Sequence, residues 1–307
     1  IMKRTKIGGQ AVIEGVMMRG KQMYALAVWT PEKKLTVEKT PLTGTLYQHP
    51  LFRLPIFRGI ASFLSSMVLG VQIIMRSAQL AGLEDEEETV PPSKFEQFLE
   101  KKFGDKLADY LIYVSVAVSL VFSIALFFIL PVFVGGLFKP ILPGNWALGI
   151  VEGIVRIAIF LTYIYLISRM EEIQKVFRFH GAEHKTINCF EHEEELTVEN
   201  VKKYTRLHKR CGTSFLIYVM LISMVVFFFV QTDSFLIRLI SRVLLVPIIA
   251  GISYEVIMWA GNSESKIVQL ISKPGFALQH LTTAEPGPRE IEAAIAAMKG
   301  VLEDEPE

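Results

Sequence analysis

The stretch LIYVSVAVSLVFSIALFFILPVFV, residues 111–134, decides the fold class of this chain. It is long enough to cross the apolar core of a bilayer as a helix, and it carries no charged side chain. Of the 307 residues in the chain, 51% are hydrophobic, which is a high share for a soluble protein. Together these features predict an α-helical polytopic membrane protein.

Three further apolar stretches bring the expected number of transmembrane helices to about four. They are residues 150–167, 215–230 and 243–259, the last with Pro247 as an expected kink. Residues 60–83 are apolar too, but serines, glutamines and Arg76 interrupt them. This pattern favours an amphipathic interfacial helix or a shallow re-entrant hairpin, which would cross the bilayer zero or two times.

Polar segments between the spans predict a mixed α+β cytoplasmic domain. Apolar and β-branched residues at 23–30 and 35–40 flank a turn sequence, which indicates a β-hairpin. The expected order is a β-containing segment (1–59), the amphipathic segment (60–83), a linker and polar helix (84–110), transmembrane helices 1–2 (111–167), a His- and Cys-rich helical loop (168–213), transmembrane helices 3–4 (214–259) and a C-terminal segment (260–307).

The distribution of basic residues orients the chain. Residues 1–59 hold ten Lys and Arg and residues 168–213 hold nine, whereas the loops 135–149 and 231–234 hold only Lys139. The positive-inside rule then places both termini and the central loop in the cytoplasm of a multi-pass protein of the cell membrane. A net charge of +1 argues against a nucleic-acid partner. The lipid bilayer is the first expected partner.

The central loop contains His180-Gly-Ala-Glu183-His184, an H-x-x-E-H pattern. On a helix His180 and His184 lie about 40° apart, and Glu183 lies about 60° from His180. One helix face can therefore offer two imidazoles to Zn²⁺ or another divalent metal and a carboxylate to a metal-bound water. The pattern predicts metal ligands at His180 and His184 and a catalytic base at Glu183.

The third metal ligand is left open by the spacing. Glu191 is the first candidate because it shares the helix face of His184, seven residues earlier. There are two alternatives to a catalytic centre. One is a closed structural zinc site, and the other is a packed cytoplasmic domain without metal, in which the histidines only form hydrogen bonds. Other candidates for the third ligand are Glu255, His208, Cys211 and Glu14.

Several motifs together resemble the YqhQ-like family of bacterial polytopic membrane proteins of unassigned function. They are Ile7-Gly-Gly-Gln-Ala-Val-Ile-Glu-Gly-Val-Met-Met-Arg-Gly20, His180-Gly-Ala-Glu-His-Lys-Thr186, Arg210-Cys-Gly-Thr-Ser-Phe215 and Leu281-Thr-Thr-Ala-Glu-Pro286. Members carry the label of predicted metal-dependent enzymes, which implies a metal site here. The resemblance also marks Gln10, Arg19 and Arg210 as motif positions. It implies no substrate or reaction.

Three functions remain open at this point. The first is a metal-dependent hydrolase acting at the cytoplasmic membrane face on a peptide, a lipid or another amphiphile. The second is a non-enzymatic adaptor or accessory factor of a membrane or secretion machine, with a membrane-protein partner or a second copy of the chain. The third is an oligomeric transporter, suggested by Glu152, Arg156, Glu255 and Arg242. Without such a role, Glu152 and Arg156 are expected to form an intramembrane ion pair.

Local patterns give four more expectations. Residues 176–195 predict a helix that breaks near Gly181, and Thr197 predicts the cap of a helix over 198–208. Pro274 predicts the end of a polar helix that begins at residue 262. An amphipathic C-terminal helix is predicted from the spacing of Ile291, Ile295, Met298 and Leu302.

Overall fold

The structure is a computed structural model, and it divides the chain into two compact units. It describes residues 7–42, 54–83, 107–230, 232, 234–263 and 265–304. The first unit comprises residues 1–83, 163–222 and 247–307, and the second comprises 84–162 and 223–246. Most of the expected linker and polar helix over 84–110 lies outside the described residues; Leu107 is the first described residue of that segment.

The strands form one antiparallel sheet in the first unit. They are β1 (Gly8–Val12), β2 (Gly15–Arg19), β3 (Met23–Trp29) and β4 (Leu35–Pro41), paired in the order β1-β2-β3-β4. The predicted hairpin is confirmed, since Ala27 of β3 pairs with Val37 of β4.

Helices make up most of the remaining described chain. They are α1 (Phe57–Leu80), α2 (Leu107–Ile124), a π-helical turn (Ala125–Ile129), α3 (Leu130–Phe138), a 3₁₀ turn (Lys139–Ile141), α4 (Asn145–Ile167), α5 (Glu171–Glu191), α6 (Val198–Lys202), α7 (Gly212–Phe229), α8 (Phe235–Leu244), α9 (Val246–Asn262), α10 (Lys266–Thr282) and α11 (Pro288–Asp304).

Both faces of the sheet are buried, which explains why β2 and β3 read as nearly continuous apolar runs. Successive residues of a strand point to opposite faces. Val16 and Met18 therefore join the core that contains α5 and α11, whereas Met17 faces the other way and packs with Ile73 of α1. The sheet is thus a layer between α1 on one side and α5 with α11 on the other.

Three segments that are distant in sequence share this core. Phe179 and Ile187 of α5 and Ile291 and Met298 of α11 pack with the residues of the sheet. The predicted amphipathic helix is confirmed as α11, and Ile291, Ile295 and Met298 of its apolar stripe are buried. The N-terminal, central and C-terminal polar segments therefore fold as one body.

Residues 57–80 form one continuous helix, so the hairpin alternative for 60–83 is wrong. Ile73 is buried against the sheet, and Arg76 pairs with Glu38 of β4, with Nε 2.9 Å from Oε2. The other face stays exposed and apolar, including Leu64, Val68 and Val71. This division of faces matches the amphipathic helix expected from the sequence.

Within the described residues, four helical segments are long and apolar enough to cross a membrane. They are Phe57–Leu80, Ala117–Ile141, Asn145–Ile167 and Gly212–Phe229, and the pair α8 and α9 qualifies as a broken fifth. The break in this pair is at Leu245, beside the expected kink at Pro247. The predicted spans at 111–134, 150–167, 215–230 and 243–259 each fall largely within one of these segments.

Three local predictions are wrong, each because tertiary contacts override a local preference. Helix α5 runs through Gly181 without a break, because the missing side chain leaves room for the carbonyl of Ala284. Helix α10 likewise continues through Pro274, and buried Val268 and Leu278 fix it on either side. Thr197 does cap a helix, but α6 ends at Lys202 because the following residues turn to contact α5.

In the second unit, the predicted Glu152–Arg156 ion pair is also wrong. Glu152 instead accepts hydrogen bonds from Arg238 at 3.1 Å and from Arg242 at 3.2 Å. Arg156 donates its Nε–H to the carbonyl of Phe127, at 3.0 Å, within the π-helical turn. A carboxylate shared by two guanidiniums is better compensated in an apolar setting than one bound to a single neighbour.

The core position of α11 yields a stability prediction. We expect Met298→Ala to lower the free energy of unfolding by about 2–5 kcal/mol, because it leaves a cavity beneath the sheet. The adjacent Lys299→Ala removes a long but exposed side chain and should change stability by less than about 0.5 kcal/mol. Unfolding of the detergent-solubilised protein would measure both. Equal effects of the two substitutions would contradict the assigned core.

Candidate metal centre

Helix α5 buries a polar face, and backbone carbonyls at the end of α6 and in the segment after it accept hydrogen bonds from its side chains. His184, Lys185 and Asn188 are each at most 5% exposed. Lys185 donates to the carbonyl of Lys202 at 3.0 Å, and Asn188 donates to the carbonyl of Thr205 at 2.8 Å. The segment after α6 is therefore held along α5 by side chains that bind its backbone.

The two histidines of the motif are oriented by backbone carbonyls. His180 Nδ1 lies 2.8 Å from the carbonyl oxygen of Thr282, and His184 Nδ1 lies 2.6 Å from that of Arg206. A carbonyl can only accept, so each Nδ1 carries the proton. When the ring is neutral, its Nε2 then carries the lone pair, which is the arrangement usual for metal-bound histidine.

Cys211 completes a group of three ligand atoms. Its Sγ lies 3.2 Å from His180 Nε2, and one ligand atom from each of His180, His184 and Cys211 lies within 4.8 Å of the others. Thr213 also faces the sulfur, with its Oγ1 at 3.1 Å and its backbone N–H donor at 3.4 Å. Cys211 directly precedes α7, so the first turn of that helix helps to hold a thiolate.

The electrostatics of the three groups favour a thiolate. Burial alone would raise the pKa of Cys211, but His184 and His180 bring it well below its usual range. Burial alone would lower the pKa of His180, yet Cys211 and Glu183 raise it to about 9. Loading a metal would therefore displace the proton that His180 and Cys211 share.

Glu183 lies beside the three ligand atoms without belonging to their group. Burial raises the pKa of its carboxyl, and the two imidazoles and the N–H of Gly9 oppose that rise. A Cβ built on Gly9 would lie 2.7 Å from Glu183 Cγ, so only glycine fits there. Gly9 itself is exposed, which leaves the carboxylate one residue below the surface.

Glu191, the first candidate for the third ligand, lies outside the three-ligand group. Its carboxylate pairs with Arg210 and lies 3.6 Å from His208 Nε2. Gln279 fixes His208 in turn, because it accepts from the His208 N–H and donates to its carbonyl, both at 2.8 Å. Glu191, His208 and Arg210 therefore form a supporting layer next to the centre.

The remaining sequence candidates are engaged elsewhere. Glu255 pairs with Arg58, and Glu14 pairs with Arg289 at 2.8 Å. Gln10 lies against Gly70 of α1, and Arg19 ends strand β2. Of the candidates for the third ligand, only Cys211 has a ligand atom grouped with those of the two histidines in the described chain. His208 also lies near, with its ring centroid 5.7 Å from that of His184, but outside that group.

Sequence reasoning did not foresee three contributors to the centre. They are the carbonyls of Thr282 and Arg206, which orient the imidazoles, and Thr213, which faces the sulfur. Thr282 and Thr213 lie within the family motifs at 281–286 and 210–215, so the resemblance already pointed to these two segments. A backbone carbonyl has no signature of its own, which is why Arg206 could not be found.

Comparison with known proteins identifies the family of the chain. Residues 54–304 match the family model described as "Protein of unknown function (DUF1385)". The chain belongs to this family. It is also 37% identical, over 298 residues, to "Uncharacterized protein YqhQ" of Bacillus subtilis (strain 168), which covers 96% of this chain and 92% of the relative.

The comparisons confirm the expected resemblance and assign no activity. No solved structure matches the chain significantly. The family model begins at residue 54, so the glycine motif that contacts Glu183 precedes the matched residues. The evidence for a function therefore comes from the geometry of the site itself.

The contact between Gly9 and Glu183 can be tested with a matched pair of glycines. We expect Gly9→Ala to lower the free energy of unfolding by about 1–3 kcal/mol, because the added methyl group overlaps the Glu183 side chain. Gly8→Ala is the control, since a Cβ at Gly8 would meet no atom within 4 Å. Thermal unfolding would compare them, and equal midpoints would contradict the packing of β1 on Glu183.

Proposed function

We propose that the protein is a metal-dependent hydrolase at the cytoplasmic face of the cell membrane. His180, His184 and Cys211 would hold the metal, and Glu183 would act as general base. One observation carries the proposal: two backbone carbonyls orient two imidazoles whose ligand atoms group with one cysteine sulfur, all within 4.8 Å of one another. A cytoplasmic domain held together by hydrogen bonds alone would not require three potential metal ligands to lie so close together.

The donor set suits zinc. Zn²⁺ binds neutral imidazole and thiolate together, usually in tetrahedral geometry, and three protein ligands leave a fourth position. When bound there, it supplies Lewis acidity toward water or a carbonyl oxygen. The chain contributes two imidazoles whose Nδ1 protons are held by carbonyls and a thiolate favoured by its surroundings. His180 would give up its Nε2 proton when the metal binds.

Glu183 fits the role of base better than that of ligand. It follows His180 by three residues on α5, and its carboxylate interacts with all three ligands while remaining outside their group. A buried carboxyl with a raised pKa accepts and returns a proton more readily near neutral pH than an ordinary glutamate. Glu183 would take the proton from the attacking water and pass it to the leaving group.

The shared core supports the membrane topology. Residues 7–42 and 288–304 pack together, so they lie on the same side of any bilayer, and an even number of crossings must separate them. Helix α1 packs its Ile73 under the sheet and would lie at the membrane surface rather than cross. Four crossings then remain: α2 with α3, α4, α7, and α8 with α9.

This topology places the metal centre on the same side as both termini, because α5 follows two crossings. The high content of Lys and Arg in residues 1–59 and 168–213 makes that side the cytoplasm. The exposed apolar stripe of α1, with Val68 at 59% and Val71 at 62% exposure, would contact lipid. An amphiphilic substrate could then reach the centre from the bilayer surface.

Metal content would test the centre directly. We expect purified wild-type protein to contain about one zinc per chain by elemental mass spectrometry, with loss of the metal in Cys211→Ala and His184→Ala. His192→Ala is the matched control, because His192 binds the carbonyl of Asn188 on the same helix and lies outside the three-ligand group. Absence of metal from folded, zinc-repleted protein would contradict the proposal.

A structural zinc site in a membrane adaptor is the second candidate, and burial favours it. Glu183, His184 and Cys211 are each at most 5% exposed, and only His180 is partly open. The ligands and their carbonyl partners tie together α5, the segment before α7 and the end of α10. A closed centre of this kind would stabilise the fold without reacting.

Glu183→Gln separates the two candidates. It preserves shape and removes the basic carboxylate, so a hydrolase should keep its metal and stability but lose activity by at least about 100-fold. Hydrolysis of ester, amide and phosphodiester probes in lipid vesicles would be compared between wild type and Glu183→Gln. The zinc-free Cys211→Ala protein would serve as the negative reference. Equal rates in wild type and Glu183→Gln would contradict a catalytic role.

A further inference from the structure

A small cavity in the second unit is lined by arginine side chains. Its polar lining consists of Asn145 at the start of α4, Glu152, Thr232, and Arg238 and Arg242 of α8. The cavity volume is about 10 Å³, which is enough for the centre of one water-sized atom or ion. Its lining is therefore charged although its neighbours are apolar helices.

The charges around this cavity do not balance. Glu152 binds both Arg238 and Arg242 through its two carboxylate oxygens. A third arginine, Arg156, donates only to the carbonyl of Phe127 and pairs with no carboxylate in the described part of the chain. Among the described residues, Glu152 is thus the carboxylate available to three buried guanidiniums, and two of them pair with it. This leaves an excess of positive charge on the described side chains in an apolar setting.

Donors remain unused on the three arginines, of which Arg238 and Arg242 line the cavity. Arg238 is 6% exposed and Arg242 is 2% exposed. Among the described residues, the Nε–H of each has no hydrogen-bond partner, and the same holds for both Nη atoms of Arg156. Buried donors are rarely left without an acceptor, so their presence here indicates a missing acceptor.

Aromatic packing holds the guanidiniums where they are. The guanidinium carbon of Arg242 lies 4.1 Å from the ring centroid of Phe227, and that of Arg156 lies 5.0 Å from the same ring. Cation–π contacts of this kind stabilise a cation without neutralising it. The arginines are therefore fixed in place while their excess charge remains.

We propose that this cavity binds a small inorganic anion of about the size of chloride. Arg238 and Arg242 would supply the charge and the free Nε–H donors, and Thr232 would supply a hydroxyl group. Glu152 would keep the two guanidiniums apart and oriented. The volume excludes an anion as large as phosphate unless the cavity opens.

Thermal unfolding at constant ionic strength would test the site in the full-length, detergent-purified protein. Sodium chloride would replace sodium gluconate stepwise, and sodium phosphate would be a second series. We expect chloride to raise the midpoint by about 2–4 °C in a saturable manner, because a ligand that binds only the folded state stabilises it by mass action. Phosphate should give no such rise.

Amino-acid substitutions would show whether chloride stabilises the protein by binding in this cavity. Arg238→Gln should lose the chloride response, and Thr232→Val should fold normally but need several-fold more chloride for half of the effect. Arg169→Gln is the matched control, because Arg169 is an exposed arginine that contacts Tyr165 outside the second unit. It should respond as wild type does.

Three results would overturn the proposal. They are equal midpoints in chloride and gluconate, a larger effect of phosphate than of chloride, and a chloride response that appears only in Asp233→Asn. Asp233 lies outside the described residues, and the last result would identify its carboxylate as the acceptor that the arginines require.

Discussion

The buried polar face of helix α5 is the constraint on which the first unit depends. Burying His184, Lys185 and Asn188 is unfavourable unless each finds a partner, since an unsatisfied polar group in an interior costs about 1–3 kcal/mol. The carbonyls of residues 202–207 meet this requirement. The same contacts hold the chain that leads to Cys211. The hydrogen bonds that satisfy the polar face of α5 therefore also bring the candidate metal ligands together.

The second unit also buries polar groups that need partners, and here these groups are charged side chains. Glu152, Arg238 and Arg242 satisfy much of one another's hydrogen bonding among apolar helices, and among the described residues two guanidiniums share this one carboxylate. The proposed metal cation in the first unit and the proposed anion in the second would each complete such a set of side chains. Each unit is best understood from what its buried polar groups still require.

Periodicity and composition predicted much of the fold. The spans, the β3–β4 hairpin and the amphipathic helix α11 have strong signals, because a repeat of two or of 3.6 residues reflects which face is buried. The breaks expected at Gly181 and Pro274 were wrong, because tertiary packing decides those positions: Ala284 lies against Gly181, and Ser214 lies against Gly275, which follows Pro274. Local preference is a weak guide where a distant segment supplies the contact.

The site was only partly accessible from sequence. The spacing of His180, Glu183 and His184 places them on one helix face, and the structure agrees. The third member of the group, Cys211, follows a segment whose path is set by hydrogen bonds to backbone carbonyls. Spacing along α5 favoured Glu191 instead, and it could not reveal that Arg210 and His208 engage that carboxylate.

The most direct test of the central claim is X-ray absorption spectroscopy of the purified protein at the zinc edge. The account predicts about one sulfur scatterer near 2.3 Å and about two imidazole nitrogens near 2.0–2.1 Å. The sulfur contribution should vanish in Cys211→Ser, whereas Glu183→Gln should leave the spectrum unchanged. A spectrum that lacks sulfur and imidazole scattering would contradict a metal centre built from His180, His184 and Cys211.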